Sequence, residues 1–260
     1  MYQTLIDSTN KLPLPKPARR LFALAWPWLE ALLVALLTTQ FVATVVGVDG
    51  ASMMPGLRHH ERLLIPKYET WLHKVGVGQF RRGDIVVFKP PTGSLNLTVL
   101  GVPYRPWLVK RLVGLPGDQV RVAGGEVYVN GAALSQAFTS DYWQSQGCWD
   151  RESALANNAR SDLNTRQPLS QSFTVPAHQY FVMGDNRSPG GSEDSRLFGP
   201  VPLRDVAGRA AAVIWPVVAR TDAHYDCAAR SRPQDQVRYG GAWRLNLRLL
   251  ERPAALSARP

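Results

Sequence analysis

The longest uncharged apolar run in the chain is Ala31 to Val48, ALLVALLTTQFVATVVGV, 18 residues in all. As a helix it would span about 27 Å at ~1.5 Å per residue, close to the thickness of a bilayer's hydrocarbon core. Leu21 to Leu29 extends it upstream, with Trp26 and Trp28 where an interfacial aromatic belt would lie and Glu30 close to the headgroups. A cleaved secretory signal has a central apolar region of only ~7–15 residues. The pattern therefore favours a retained anchor over 21–48, against a removed leader or a buried core helix. Lys11, Lys16, Arg19 and Arg20 stand ahead of the run against Asp7 alone, and the first charge beyond it is Asp49. The positive-inside rule then keeps residues 1–20 in the cytoplasm and puts 49–260 outside it. No later stretch is long and apolar enough to return, so a single pass is expected.

After the anchor the pattern changes to short apolar runs punctuated by Gly and Pro: Arg62 to Ile65, Ile85 to Phe88, Leu108 to Leu112, Val120 to Val122, Val127 to Val129, Tyr180 to Met183 and Ala210 to Trp215. These are strand lengths, and they predict a mainly β domain. Ala123-Gly124-Gly125 between two of the runs predicts a hairpin, and Asn130-Gly131 a turn straight after it. Residues 132–172 are polar and lack periodicity, which predicts an insertion or small subdomain outside the core and offers no chemistry. Trp243 to Leu249 alternates apolar with polar or basic residues; it reads as an edge strand, with a surface resting on anionic lipid as the alternative.

Composition narrows the function. The hydrophobic fraction of 45% in 260 residues is enough for one substantial core. A net charge of +10 is compatible with nucleic acid or an anionic membrane, but the basic residues are scattered, with no zinc-finger spacing and no aromatic–basic interleaving, which argues against nucleic acid. His59, His60, His73, His178 and His224 show no ligand spacing, so neither a metal nor any other cofactor is expected. Cys148 and Cys227 allow at most one bridge; an extracytoplasmic domain leaves a disulfide and two unrelated thiols equally open.

Three segments carry candidate chemistry. Gly50-Ala51-Ser52-Met53-Met54-Pro55 sets a serine between small residues just beyond the apolar run, which by itself is what a turn looks like. In Trp107 to Asp118, strand alternation puts Lys110 on one face with Leu108 and Leu112, and Arg111 on the other with Val109 and Val113. A lysine among apolar neighbours either extends its head to water or, if held dry, loses as much as ~3–5 pKa units and becomes able to accept a proton. Met183-Gly184-Asp185-Asn186-Arg187, followed by Ser188 to Arg196, reads as an irregular loop held by side-chain hydrogen bonds and ion pairs, or as a solvated surface loop.

Taken together and in this order, the three segments resemble the boxes of bacterial type I signal peptidases, the leader peptidases that use a Ser/Lys dyad. The resemblance runs from Gly50 to about Gly199 and includes Arg82-Gly83-Asp84-Ile85-Val86. It implies a β-rich catalytic domain behind a single anchor, with Ser52 as nucleophile and Lys110 as general base. It also implies that Ser192 hydrogen-bonds the lysine amine and that Asp185, Asp194, Arg196 and Arg111 brace the site. Val48, Met53, Leu57, Leu108 and Val109 take the positions of substrate-pocket residues, and each is equally readable as ordinary core. The implied substrates are the amino-terminal signal peptides of exported preproteins, cut at the outer face of the bacterial cytoplasmic membrane. Membrane lipid is a partner, and no obligate protein partner or cofactor is implied.

Two departures stand out. Gly50 occupies the place where many Gram-negative relatives carry an extra oxyanion-binding serine, so the Ser52 backbone N–H is the expected oxyanion donor. The segment from Arg187 to Arg196 is two residues longer than expected, which leaves Ser188 as a competitor to Ser192. Among rivals, a Ser/Lys peptidase that processes pilus or conjugation subunits conflicts with the complete G-D-N-R loop. A non-catalytic tethered binding protein leaves the three segments unexplained.

Overall fold

A 22-residue helix, α1 (Lys16–Leu37), begins after Pro15, where a proline costs the first turn no hydrogen bond. It runs into a π-helical turn at Thr38–Val42. The stretch Leu24–Val42 is long and apolar enough to cross a membrane. This differs from the expected span: the helix ends at Val42, and Ala43–Gly47 is strand β1 rather than the last turns of an anchor. The reason is local, because Thr44, Val45 and Val46 are β-branched and lose side-chain freedom in a helix. The computed structural model describes residues 15–92, 98–150, 172–229 and 233–257. Lys11, Asp7 and 151–171 of the expected insertion lie outside them. The chain divides after Thr44 into two compact units.

The second unit is built from β-sheets. One sheet has the order β1, β2 (Arg62–Pro66), β14 (Ala212–Trp215), β17 (Arg248–Leu249). A second has the order β12 (Val201–Pro202), β11 (Gln179–Met183), β6 (Leu108–Gly114), β3 (Ile85–Phe88), β13 (Val206–Arg209). A third has the order β10 (Phe173–Thr174), β7 (Gln119–Ala123), β8 (Glu126–Val129), β9 (Ala132–Ala133). Two hairpins, β4 (Thr98–Val99) with β5 (Val102–Pro103) and β15 (Val218–Tyr225) with β16 (Val237–Leu245), complete the strands, and helix α2 (Lys67–Lys74) follows β2. The β7–β8 turn and the Asn130-Gly131 turn match expectation, with Asn130 at φ 53° and Gly131 at φ 84°.

Strand β3 shows why an unbroken apolar run is still a strand. Ile85 and Val87 face one cluster with Met53, Leu57, Leu63 and Ile65, while Val86 and Phe88 face another with Leu112, Val182 and Phe198. Both faces of the sheet are buried, so alternation vanishes.

One expectation changes and another holds. Residues 132–172 are not all peripheral: helix α3 (Ala137–Ser145) buries Thr139 and Trp143, and Trp143 packs with Ala51, Met54, Cys148 and Tyr225. Its Asp141, Gln144 and Ser145 are exposed, which hid a short helix held chiefly by one large buried side chain, Trp143. The carboxy-terminal alternating stretch divides between the end of β16, paired with β15, and β17, the edge strand beside β14.

Candidate active site

Strand β6 is the central strand from Arg111 onward and an edge strand before it. On one side Val86 lies opposite Lys110 and Phe88 opposite Leu108. On the other, pairing with β11 stops at Met183 opposite Arg111. Among the described residues no strand covers that second side of Leu108–Lys110.

Lys110 is buried, and its Nζ lies 2.5 Å from the Ser52 Oγ. Loss of hydration on burial drives its pKa down to about 8; Asp194, Glu193 and Asp185 pull it upward, and Arg196 pushes it down. Ser52 lies in a turn two residues after Gly50, whose φ of +99° suits glycine and would strain a serine. The Gly50 N–H donates to the Nδ1 of His59 at 3.0 Å. The Ser52 N–H has no acceptor among the described residues.

The loop after β11 is fastened to the serine from behind. The Asn186 N–H donates to the Ser52 carbonyl at 2.9 Å, and its side-chain amide donates to the Ala51 carbonyl at 3.2 Å. Any side chain at Gly184 would collide with Ser192 and with the Ser52 carbonyl, so glycine permits this approach. Arg111 grips Asp185 through two hydrogen bonds, Nε to Oδ1 at 2.8 Å and Nη2 to Oδ2 at 2.5 Å, and donates a third to the Gly83 carbonyl at 2.8 Å. Of the Arg-Gly-Asp box, the Gly83 carbonyl thus helps to hold Arg111.

Asp194 is fully buried and accepts from the Gly184 N–H at 2.9 Å, from Ser192 Oγ at 2.8 Å, and from Arg196 Nε and Nη2 at 2.9 and 2.8 Å. Burial alone would raise its pKa, but the Arg196 charge and hydrogen bonds, the Gly184 N–H and the Lys110 amine outweigh it and hold the carboxyl at about 2. Ser192 therefore has its hydroxyl proton committed to Asp194. Ser188 is turned elsewhere, donating to Asn186 Oδ1 at 2.6 Å.

These segments bear a family signature. The family model for signal peptidase, peptidase S26, matches residues 21–215. The chain belongs to this family. Among curated relatives, a probable signal peptidase I-2 of Synechocystis sp. is 31% identical over 217 residues, 84% of each chain. Signal peptidase I P of Bacillus subtilis subsp. natto is 33% identical over 195 residues, covering 73% of this chain and 89% of that one. A solved signal peptidase I from Enterococcus faecalis V583 is 31% identical, covers 52% of this chain and 98% of its own, and superposes with a TM-score of 0.35.

The S26 positions gather unevenly. Val48, Met53 and Leu57 are buried in one cluster with Val109 packed against it, whereas Leu108 packs against the cluster around Phe80 and Phe88. The motifs gave no sign of helix α3, yet its Thr139 Oγ1 and Trp143 Nε1 both donate to the Asp185 carbonyl, at 2.5 and 2.7 Å. The one available sign was the group of aromatic residues Phe138, Tyr142 and Trp143 within a polar stretch. Cys148 and Cys227 are joined as a disulfide, which ties the segment after α3 to the end of β15.

Proposed function

We propose that this S26 peptidase removes signal peptides from exported preproteins, with Ser52 as nucleophile and Lys110 as general base. One observation carries the reading: a desolvated amine 2.5 Å from a serine hydroxyl. In its neutral form the amine takes the Ser52 proton as Oγ attacks the scissile carbonyl, and then returns it to the departing amine. The resulting acyl-enzyme is hydrolysed by a water that the same lysine deprotonates. The Ser52 N–H supplies an oxyanion donor, a contribution typically worth ~2.7–4 kcal/mol. Ser192 uses its proton on Asp194, so its lone pairs remain to accept from Lys110 and aim the amine. Arg111–Asp185 and Arg196–Asp194 keep the loop rigid around both groups.

The open side of Leu108–Lys110 suits an extended substrate added as a strand, whose backbone supplies affinity while the apolar positions Val48, Met53, Leu57, Leu108 and Val109 select small side chains. The apolar helix Leu24–Val42 would anchor the enzyme in the bacterial cytoplasmic membrane, amino terminus inside. A preprotein's own apolar segment then shares that membrane, which raises the effective concentration of each.

The test is incubation of detergent-solubilised wild type, Ser52→Ala and Lys110→Ala with a preprotein, reading the new amino terminus. Each variant is expected to lose about 10³-fold or more in rate while its circular dichroism is unchanged. Substantial cleavage by either variant would remove the dyad.

A further inference from the structure

The residues around Ser52 part to two sides. Met53 and Leu57 join Val48, Leu63 and Val87, with Val109 packed against them. Ala51 and Met54 instead join Trp143, Cys148 and Tyr225. Ser52 thus stands on the seam between two apolar clusters, of which only the first includes the open β6 edge residue Val109. On the second side lies a cavity of about 430 Å³, lined in part by Cys148, Trp149, Pro189, Gly190, Tyr225 and Ala229. Cys148 and Tyr225 belong to the cluster that holds Ala51 and Met54, while Pro189 and Gly190 come from the loop between Asn186 and Ser192. The cavity thus shares Cys148 and Tyr225 with that cluster, and none of its lining residues comes from the open β6 edge.

A peptide cut at Ser52 extends in both directions from that oxygen. If its upstream half lies along Leu108–Lys110, its downstream half leaves on the far side. We propose that this cavity receives a side chain from the first residues after the cut, those that begin the mature protein. Its aromatic rings, proline and disulfide suit a bulky apolar or aromatic side chain, and its volume falls within the usual range for a ligand site. The assignment rests on Ser52 being the nucleophile, and none of the cavity residues named here belongs to the dyad or to the residues proposed to brace it.

Ala229 is half-buried on a loop, so it can be changed with little risk to the core. The experiment uses signal-peptide substrates that carry Phe, Gly, Lys or Glu in turn at each of the first four positions after the cut. Alongside them runs a methyl ester of the signal sequence that ends at the cut and has no downstream residues. Wild type is expected to prefer Phe over Gly at one of the four positions, and Ala229→Trp to erase that preference. At the same position Ala229→Glu should favour Lys and Ala229→Arg should favour Glu, a crossover of about five-fold in kcat/KM, the size suited to a half-exposed charge pair. All variants should hydrolyse the ester at the wild-type rate.

Identical charge preferences in the two charged variants, with ester hydrolysis intact, would overturn the cavity assignment and leave the dyad standing. Loss of ester hydrolysis in every Ala229 variant would also overturn it, by making the cavity part of the catalytic frame. Failure of the wild type on the ester would instead count against the peptidase reading itself.

Discussion

Replacing the Lys110 amine by the thioether of methionine, a chain of similar length, removes the group that burial penalises. The lysine pKa falls from the ordinary 10.5 to about 8 on folding, so between those values the unfolded chain binds more protons than the folded one. Stability of the wild type therefore rises with pH across that window, and the full penalty, roughly 3 kcal/mol at ~1.4 kcal/mol per unit, applies below about 8. Lys110→Met is expected to be inactive yet more stable at pH 7, with its advantage shrinking above pH 8. Urea unfolding of both proteins at pH 6.5 and pH 9.5 checks this, and a variant less stable at both would contradict it. At this scale the sequence was informative: alternation put Lys110 on an apolar face, and a motif order singled out Ser52. The choice between Ser192 and Ser188 was not legible, because spacing in an irregular loop does not say which hydroxyl turns inward. The contact with Asp194 favours Ser192.

Strands whose apolar residues recur could be read in advance, and β3, β6, β7, β8 and β11 fall within a residue or two of expectation. Helix α3 escaped because nine residues give little periodicity and its burial depends on Trp143 and Thr139 rather than on an apolar stripe. The end of the apolar run departs from expectation for a different reason: hydrophobicity does not distinguish a spanning helix from an apolar strand, whereas the β-branched residues of β1 do. The functional link at this scale runs from α3 to the loop carrying Asp185. Thr139→Val keeps the shape of the side chain but removes its hydrogen bond to the Asp185 carbonyl. It is expected to cost about 1 kcal/mol in stability and to lower kcat with little change in KM, since the loop it holds orients Ser52 rather than gripping substrate. Thermal unfolding and steady-state kinetics on one preparation measure both, and an unchanged kcat would confine α3 to a packing role.

In the whole molecule the site is assembled from segments far apart in the chain: Ser52 and Lys110 are 58 residues apart, and Arg111 and Asp185 are 74 apart. No local pattern shows that such segments meet, so motif order and family resemblance supplied what periodicity could not. The sheets bring these segments together through β6, which carries Lys110 and Arg111 and pairs through Arg111 with Met183 at the start of the Asp185 loop. The chemistry then depends on the amine being neutral when substrate arrives. The decisive measurement is the pH dependence of kcat/KM on a peptide substrate, run beside a nitrogen-15 titration of the Lys110 amine in Ser52→Ala. The account predicts a rate that climbs about ten-fold per pH unit and levels off near pH 8, with the amine titrating at about the same value. A flat profile from pH 6 to pH 9, with the amine still charged throughout, would contradict it.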